Sequence, residues 1–250
     1  MNFVNKKILI TGASRGIGRE IAFYFASLGC DLILTYNESR NLSNEVVDTI
    51  KSKYGVQVSN VKCSLGCEED VNNLSKYVIS KYGTIDILIN NAALSLDSFY
   101  KDKTKEEFMR VLEVNVFGTF SMMQKFMGLT KYVINISSTD AIDTFNEYDI
   151  DYACSKASIN CMTKYFALFD KNTKYYAICP NWVKTEAVHV PFLLTLWKSR
   201  PIAALCYFAT AFRALRIRHM LRQVPPGRGR CEILGLHYLY PEALAARADR

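Results

Sequence analysis

Thr11-Gly12-Ala13-Ser14-Arg15-Gly16-Ile17-Gly18 constrains the fold more than any other stretch of the chain. An apolar run, Lys7 to Thr11, leads into it, and Ile17, Ile21, Phe25 and Leu28 follow on one helical stripe. A glycine-rich turn between a strand and a helix brings backbone N–H groups and the positive helix end close to a pyrophosphate. The spacing is GxxxGxG rather than GxGxxG, and an ordinary tight βα connection is the plain alternative. Its position at the first strand–helix junction favours a dinucleotide site, with Gly12, Ser14, Arg15, Gly16, Ile17 and Gly18 as the candidate cradle.

The same alternation continues. Strands are predicted at Lys7 to Thr11, Asp31 to Tyr36, Val56 to Cys63, Ile85 to Asn90, Tyr132 to Ser137 and Tyr175 to Cys179. Amphipathic stretches lie between them, with Val71, Leu74 and Val78 at i, i+3, i+7. Short β-branched strands alternating with helices predict an α/β fold, a doubly wound parallel sheet covered on both faces.

Half of the 250 residues are apolar and 22% are charged, enough for one domain with a large core and too apolar for a disordered chain. The eight cysteines form no CxxC pair and no metal-ligand spacing, so reduced thiols in a cytoplasmic setting are expected, with no metal. Ile8-Leu9-Ile10 after Lys6-Lys7 is too short for a secretory or membrane-spanning segment, and the chain reads as soluble and unprocessed.

The formal charge of +7 belongs almost wholly to residues 200–250, which carry nine Arg, no Lys and three acids. All sixteen Asn lie at or before Asn181. Two composition regimes are therefore joined in one chain, and the expected division is 1–188 as a nucleotide-binding and catalytic domain and 189–250 as an atypical Arg/Ala-rich segment. A basic patch for an anionic surface or nucleic acid and a segment of different coding origin both fit that tail. Arg213, Arg216 and Arg218 oppose a transmembrane reading.

At the end of the second strand, an acidic residue would bind a ribose 2′-OH, whereas its absence near an Arg accommodates a 2′-phosphate. The positions read Thr35-Tyr36-Asn37, with Arg15 and Arg40 nearby and Glu38 one residue beyond. NADP(H) is favoured over NAD(H).

Tyr152 and Lys156 are four residues apart and share one face of a helix. An ammonium beside a phenol is expected to lower the phenol pKa and fit it for proton transfer near neutrality. Ile134-Asn135-Ile136-Ser137-Ser138 ends a strand and delivers Ser138 to the carboxyl edge of the sheet, where a hydroxyl can meet a substrate carbonyl. Surface packing for the Tyr–Lys pair and a helix cap for the serine are the dull readings of each motif alone.

From about residue 5 to 187 the sequence resembles the short-chain dehydrogenase/reductase family. The resemblance rests on the glycine turn, Asn90-Asn91-Ala92-Ala93, Asn115-Val116-Phe117-Gly118, Ser138, the YxxxK pair and Pro180-Asn181-Trp182-Val183-Lys184-Thr185. The turn together with Thr35-Tyr36-Asn37-Glu38-Ser39 makes it look most similar to the 3-oxoacyl-acyl-carrier-protein reductases. The resemblance implies a Rossmann-type three-layer sandwich and an oxidoreductase passing a hydride between NADP(H) and a carbonyl or secondary alcohol. It implies Tyr152 as proton donor or acceptor, Ser138 orienting the carbonyl, Lys156 holding the nicotinamide ribose, and Asn115 supporting a proton-relaying water chain. It also implies Asn37 near the 2′-phosphate, Ser64 and Leu65 beside the adenine, Asn91 near the adenine ribose, and Val183 and Thr185 closing over the nicotinamide. A small-molecule or acyl-carrier-bound carbonyl substrate, a homo-oligomer, and no nucleic-acid partner or transmembrane segment complete what the family implies.

The departures are specific. Ala93 and Asn181 stand where the family usually has Gly, Ser138 lies fourteen residues before Tyr152, one more than expected, and the stretch from Gly118 to Ser138 is short. Beyond Val188 neither the usual substrate-loop helices nor the glycine-rich last strand is recognisable, so an exposed sheet edge is expected unless Cys231 to Tyr240 forms a replacement strand. The alternative function is a nucleotide-binding, catalytically idle relative; the tail serving as a dock for an anionic surface is a third reading.

Overall fold

Ile8, Leu9 and Ile10 are fully buried, yet successive side chains of a strand point to opposite faces. The run therefore requires a sheet covered on both sides, and the computed structural model has one. The structure describes residues 3–181, 183 and 231–235. Its strands are Lys7–Ile10 (β1), Asp31–Tyr36 (β2), Val58–Lys62 (β3), Ile85–Asn90 (β4), Thr130–Ile136 (β5), Lys174–Cys179 (β6) and Cys231–Gly235 (β7). They form one sheet in the order β3-β2-β1-β4-β5-β6-β7, and every pairing is parallel. The six strands expected from the sequence are all present, with ends shifted by one or two residues.

The helices are Gly16–Ser27 (α1), Arg40–Tyr54 (α2), Glu68–Tyr82 (α3), Lys105–Leu112 (α4), Gly118–Phe126 (α5) and Ile150–Phe169 (α6). Strand alternation divides the core into two layers. Ile8, Ile10, Leu32, Leu34, Ile87 and Ile89 meet Ile21, Phe25, Val46 and Ile50 of α1 and α2. Leu9, Ile33, Leu88 and Val133 meet Val71, Leu74, Val78, Met122, Phe126 and Ala167 of α3, α5 and α6. Burying a Leu, Ile or Phe is worth about 1.5–3 kcal/mol, so these layers are the main source of stability.

From the sequence, the β6 edge is exposed unless Cys231 to Tyr240 supplies a strand, and the first five residues of that segment do. Cys231–Gly235 pairs in parallel with β6, from Tyr175↔Cys231 to Cys179↔Gly235. A short apolar segment of the basic tail thus occupies the sheet edge, in a sequence that the family resemblance does not reach. The rest of 189–250, including its arginine-rich stretch, lies outside the described residues.

Chain order reverses between β1 and β4: the chain runs outward through β2 and β3, then returns to β4 on the other side of β1. The crevice at the carboxyl ends of β1 and β4 is where open sheets of this kind bind ligands.

Candidate active site

Thr11 and Asn91 knit that crevice together. Thr11 Oγ1 accepts hydrogen bonds from the Asn91 and Ala92 amides, both at 3.0 Å. Asn91 Nδ2 donates to the carbonyls of Thr11 and Gly12, also at 3.0 Å, and the Gly12 amide donates to Thr35 Oγ1 at 3.3 Å. Gly12 has φ +67°, and a Cβ there would lie 2.8 Å from Ala92 Cα. A Cβ on Gly18 would lie 2.3 Å from the Gly12 carbonyl oxygen and 2.5 Å from Asn91 Nδ2. Both positions require glycine because the start of α1 and the β4 exit press directly on the turn.

Helix α1 starts with no side-chain cap and no acidic residue in its first turn. Its positive end thus lies beside the glycine turn at the crevice. Exposed Arg15, half-buried Ser14, Gly16 and Ile17, and buried Gly18 make up the remainder of the turn. This cradle fits the pyrophosphate of a nicotinamide dinucleotide.

The other residues expected to bind cofactor are distributed around it. Asn37 is exposed immediately after β2, followed by exposed Glu38 and then Arg40 at the start of α2. Ser64 follows β3 half-buried, its amide donating to Asp70 Oδ2 at 2.8 Å. Leu65 is buried in the α3–α5 core layer, so its packing is structural whatever its backbone meets. Asn91 lies in the crevice, but its amide group braces the turn. Val183 is half-buried beyond β6, and Thr185 lies outside the described residues. Among the described residues Asn5 is the one non-glycine with positive φ, so Ala93 and Asn181 replace glycine without backbone strain.

The second constellation lies at the carboxyl ends of β4, β5 and β6. A π-helical turn, Glu113–Phe117, between α4 and α5 directs Asn115 inward, a device common at functional sites. Asn115 Oδ1 accepts from the Leu94 amide at 2.7 Å, and its Nδ2 donates to Leu94 O at 2.8 Å and to Ser155 Oγ at 3.0 Å. Ser155 Oγ in turn donates to the Tyr152 carbonyl at 2.7 Å. Asn115 therefore ties the loop after β4 to the first turn of α6, where Tyr152 stands.

Lys156, fully buried on α6, donates to the Ile136 carbonyl at 2.7 Å and lies 5.2 Å from the Tyr152 ring centroid. Ser138 caps the short 3₁₀ turn Thr139–Ala141: its hydroxyl donates to Asp140 Oδ2 at 2.9 Å and accepts from the Asp140 amide at 3.2 Å. The structure thus brings Asn115, Ser138, Tyr152 and Lys156 together.

The electrostatics correct one expectation. Lys156 was to lower the Tyr152 pKa, but burial raises it well above its ordinary value, reinforced by the Asp140 and Asp149 carboxylates and opposed by a side-chain hydrogen bond with Ser138. Burial also lowers Lys156 to about 8, against the raising influence of Cys179 and Asp140. Burial raises the Asp140 pKa as well. Removal from water disfavours the charged form of each group and is the largest influence on all three. The phenol at rest is a protonated acid.

The bracing roles of Thr11 and Thr35, and the contacts of Asp140, Asp149 and Ser155, escaped the sequence reading. Ser155 stood within the YxxxK motif, and Asp140 two residues after Ser138. Neither position has a period or spacing that announces its contact.

The family model described as short chain dehydrogenase matches residues 6–191. The chain is 33% identical over 194 residues to the 3-oxoacyl-acyl-carrier-protein reductase FabG of Aquifex aeolicus, covering 74% of this chain and 77% of that protein. It matches the crystal structure of a blue fluorescent protein from a metagenomic library in complex with NADPH with a TM-score of 0.70 at 25% identity, over 74% of this chain and 78% of that one. It matches NAD+-bound xylitol dehydrogenase with a TM-score of 0.68 at 26% identity, over 73% and 72%. This chain belongs to the short chain dehydrogenase family, oxidoreductases that act on a CH–OH group with a nicotinamide cofactor.

No helix among the described residues is long and apolar enough to cross a membrane, and no group of His, Cys, Asp and Glu among them is arranged to hold a metal ion.

Proposed function

We propose that this chain is a cytoplasmic NADP(H)-dependent reductase of carbonyl compounds, of the 3-oxoacyl-acyl-carrier-protein reductase type, with secondary alcohol oxidation as the reverse reaction. The observation that carries the reading is the convergence of a protonated, half-buried Tyr152 with Ser138, Lys156 and Asn115 on the sheet edge that also carries the glycine turn. The similarity to FabG supports the substrate class. Non-acidic Asn37 at the end of β2, with Arg15 and Arg40 close in sequence, supports the 2′-phosphate.

A bound nicotinamide supplies hydride to the carbonyl carbon. As negative charge develops on the carbonyl oxygen, Tyr152 Oη donates its proton there and becomes phenolate. The Lys156 ammonium would stabilise that phenolate and would hold the ribose of a bound cofactor. Ser138 supplies a second hydrogen bond to the oxygen once its hydroxyl turns from Asp140. Asn115 and Ser155 keep the first turn of α6 fixed while the proton moves.

Tyr152→Phe tests the assignment. NADPH oxidation with an acetoacetyl thioester is expected to fall by about 10²–10⁴-fold, the range for loss of a general acid, while NADPH affinity persists. Turnover by the Phe variant at the wild-type rate overturns the role.

A further inference from the structure

Apart from the residues assigned to cofactor and carbonyl, one buried charge pair includes the residue that precedes Tyr152. Lys103 and Asp151 have side chains 3% and 0% exposed, with Nζ 3.1 Å from Asp151 Oδ2. That oxygen has no aligned hydrogen bond, so the contact is Coulombic. Lys103 Nζ also donates to the Leu96 carbonyl. The other Asp151 oxygen accepts from the amide of Tyr152 at 2.9 Å. Thr104 and Glu107 form a reciprocal capping box at the start of α4, which fixes the residue before it, Lys103, as the end of the loop from β4.

The pair is one of a series of links. The loop from β4 and the loop from β5 meet through Ser95 Oγ donating to Asp149 Oδ1 at 3.2 Å, the Tyr100 amide donating to Glu147 O at 2.8 Å, and the Phe99 and Tyr148 rings at 5.9 Å. Those links are made by exposed or half-buried groups. Lys103–Asp151 alone among them is fully buried and attaches to the residue preceding Tyr152. Isolated buried ion pairs seldom add stability over apolar residues of similar size, so stability is a weak reason for this one.

We infer that Lys103 and Asp151 are positioning residues: their ion pair locks the loop from β4 onto the first turn of α6 and so holds the Tyr152 hydroxyl at the reacting carbonyl. The inference rests on the reductase reading for its kinetic test but not for its structural one. Lys103 draws Leu96 and Asp151 to one point, Asn115 does the same for Leu94 and Ser155, and Tyr152 lies between the two anchors on α6. Without the first anchor, the loop from β4 holds the start of α6 through Asn115–Ser155 and the exposed Ser95–Asp149 contact, and the phenol gains freedom to swing.

The test uses the full chain carrying Lys103→Met with Asp151→Asn, which removes both charges and leaves no unpaired buried ion, and Lys103→Arg as the conservative variant. The expected double variant melts cooperatively and binds NADPH with a Kd within about twofold of wild type, while kcat falls by about 100-fold, the cost of a misplacement of roughly 1 Å. Lys103→Arg recovers most of that loss. A double variant with wild-type kcat, or one that no longer folds, overturns the positioning role. If the wild-type chain reduces no carbonyl compound, the reductase reading fails separately, and the pair is judged by the Tyr152 ring resonance, assigned with Tyr152→Phe. Broadening or splitting of that resonance in the double variant supports positioning; an unchanged resonance overturns it.

Discussion

Lys156 and Tyr152 titrate against intuition because both are removed from water. The folded-state pKa of Lys156 is lowered from 10.5 to about 8, so between those values the unfolded chain binds more protons than the folded one. Stability contributed at this site therefore rises with pH through that window and is lowest below about 8. The stability difference between wild type and Lys156→Met is expected to shift in favour of wild type from pH 8 to 10, measured by urea denaturation at each pH. Asp140 acts in the opposite sense on the phenol: its carboxylate helps to hold Tyr152 protonated. Asp140→Asn is expected to lower the pKa on the alkaline limb of the kcat profile while freeing the Ser138 hydroxyl; an unchanged limb shows that the carboxylate is electrostatically silent. At Gly12, Ala combines a left-handed φ, costing about 1–2 kcal/mol, with a Cβ contact to Ala92. The Gly12→Ala chain is expected to melt several degrees lower and to lose NADPH affinity, both read in one thermal titration.

Elements transmit these local choices. The π-helical turn at Glu113–Phe117 and the first turn of α6 share the hydrogen bond between Asn115 and Ser155. Ser155→Ala deletes that acceptor and leaves a buried Asn115 donor short of a partner, at about 1–3 kcal/mol. Its expected signature is faster amide exchange in both elements together; a change confined to α6 contradicts the coupling. These elements were unequally legible in the sequence. The central strands β1, β2 and β4 declared themselves because burial on both faces leaves runs dominated by Ile and Leu, and α1 and α3 because Ile21, Phe25, Val71, Leu74 and Val78 keep helical spacing. Tyr152, Lys156 and Ser138 were readable from spacing and strand ends. Asp140, Asp149 and the Lys103–Asp151 pair were not, since their contacts arise when loops from β4 and β5 meet in space. The direction of the Tyr152 shift escaped for the same reason: four-residue spacing reports the lysine but not the loss of water around both groups.

Across the whole molecule, one sheet carries two chemistries on its carboxyl edge. The crossing between β1 and β4 forms the dinucleotide cradle, and the ends of β4, β5 and β6 carry the proton-transfer residues. Cys231–Gly235 completes the far edge although the surrounding composition departs from the first 199 residues. A parallel partner on β6 requires only a short extended segment offering its backbone, which explains why a strand can form where no family sequence is recognisable. Whether this architecture assembles a working nicotinamide site is best measured by the thermal shift of the purified full-length chain with NADPH and, in parallel, NADH. A ligand at about a hundred times its Kd adds roughly 2.7 kcal/mol, or about 5–10 °C for a chain of this size. The account predicts a cooperative melt that NADPH raises by that amount and NADH raises less. A cooperative melt that neither nucleotide moves contradicts it.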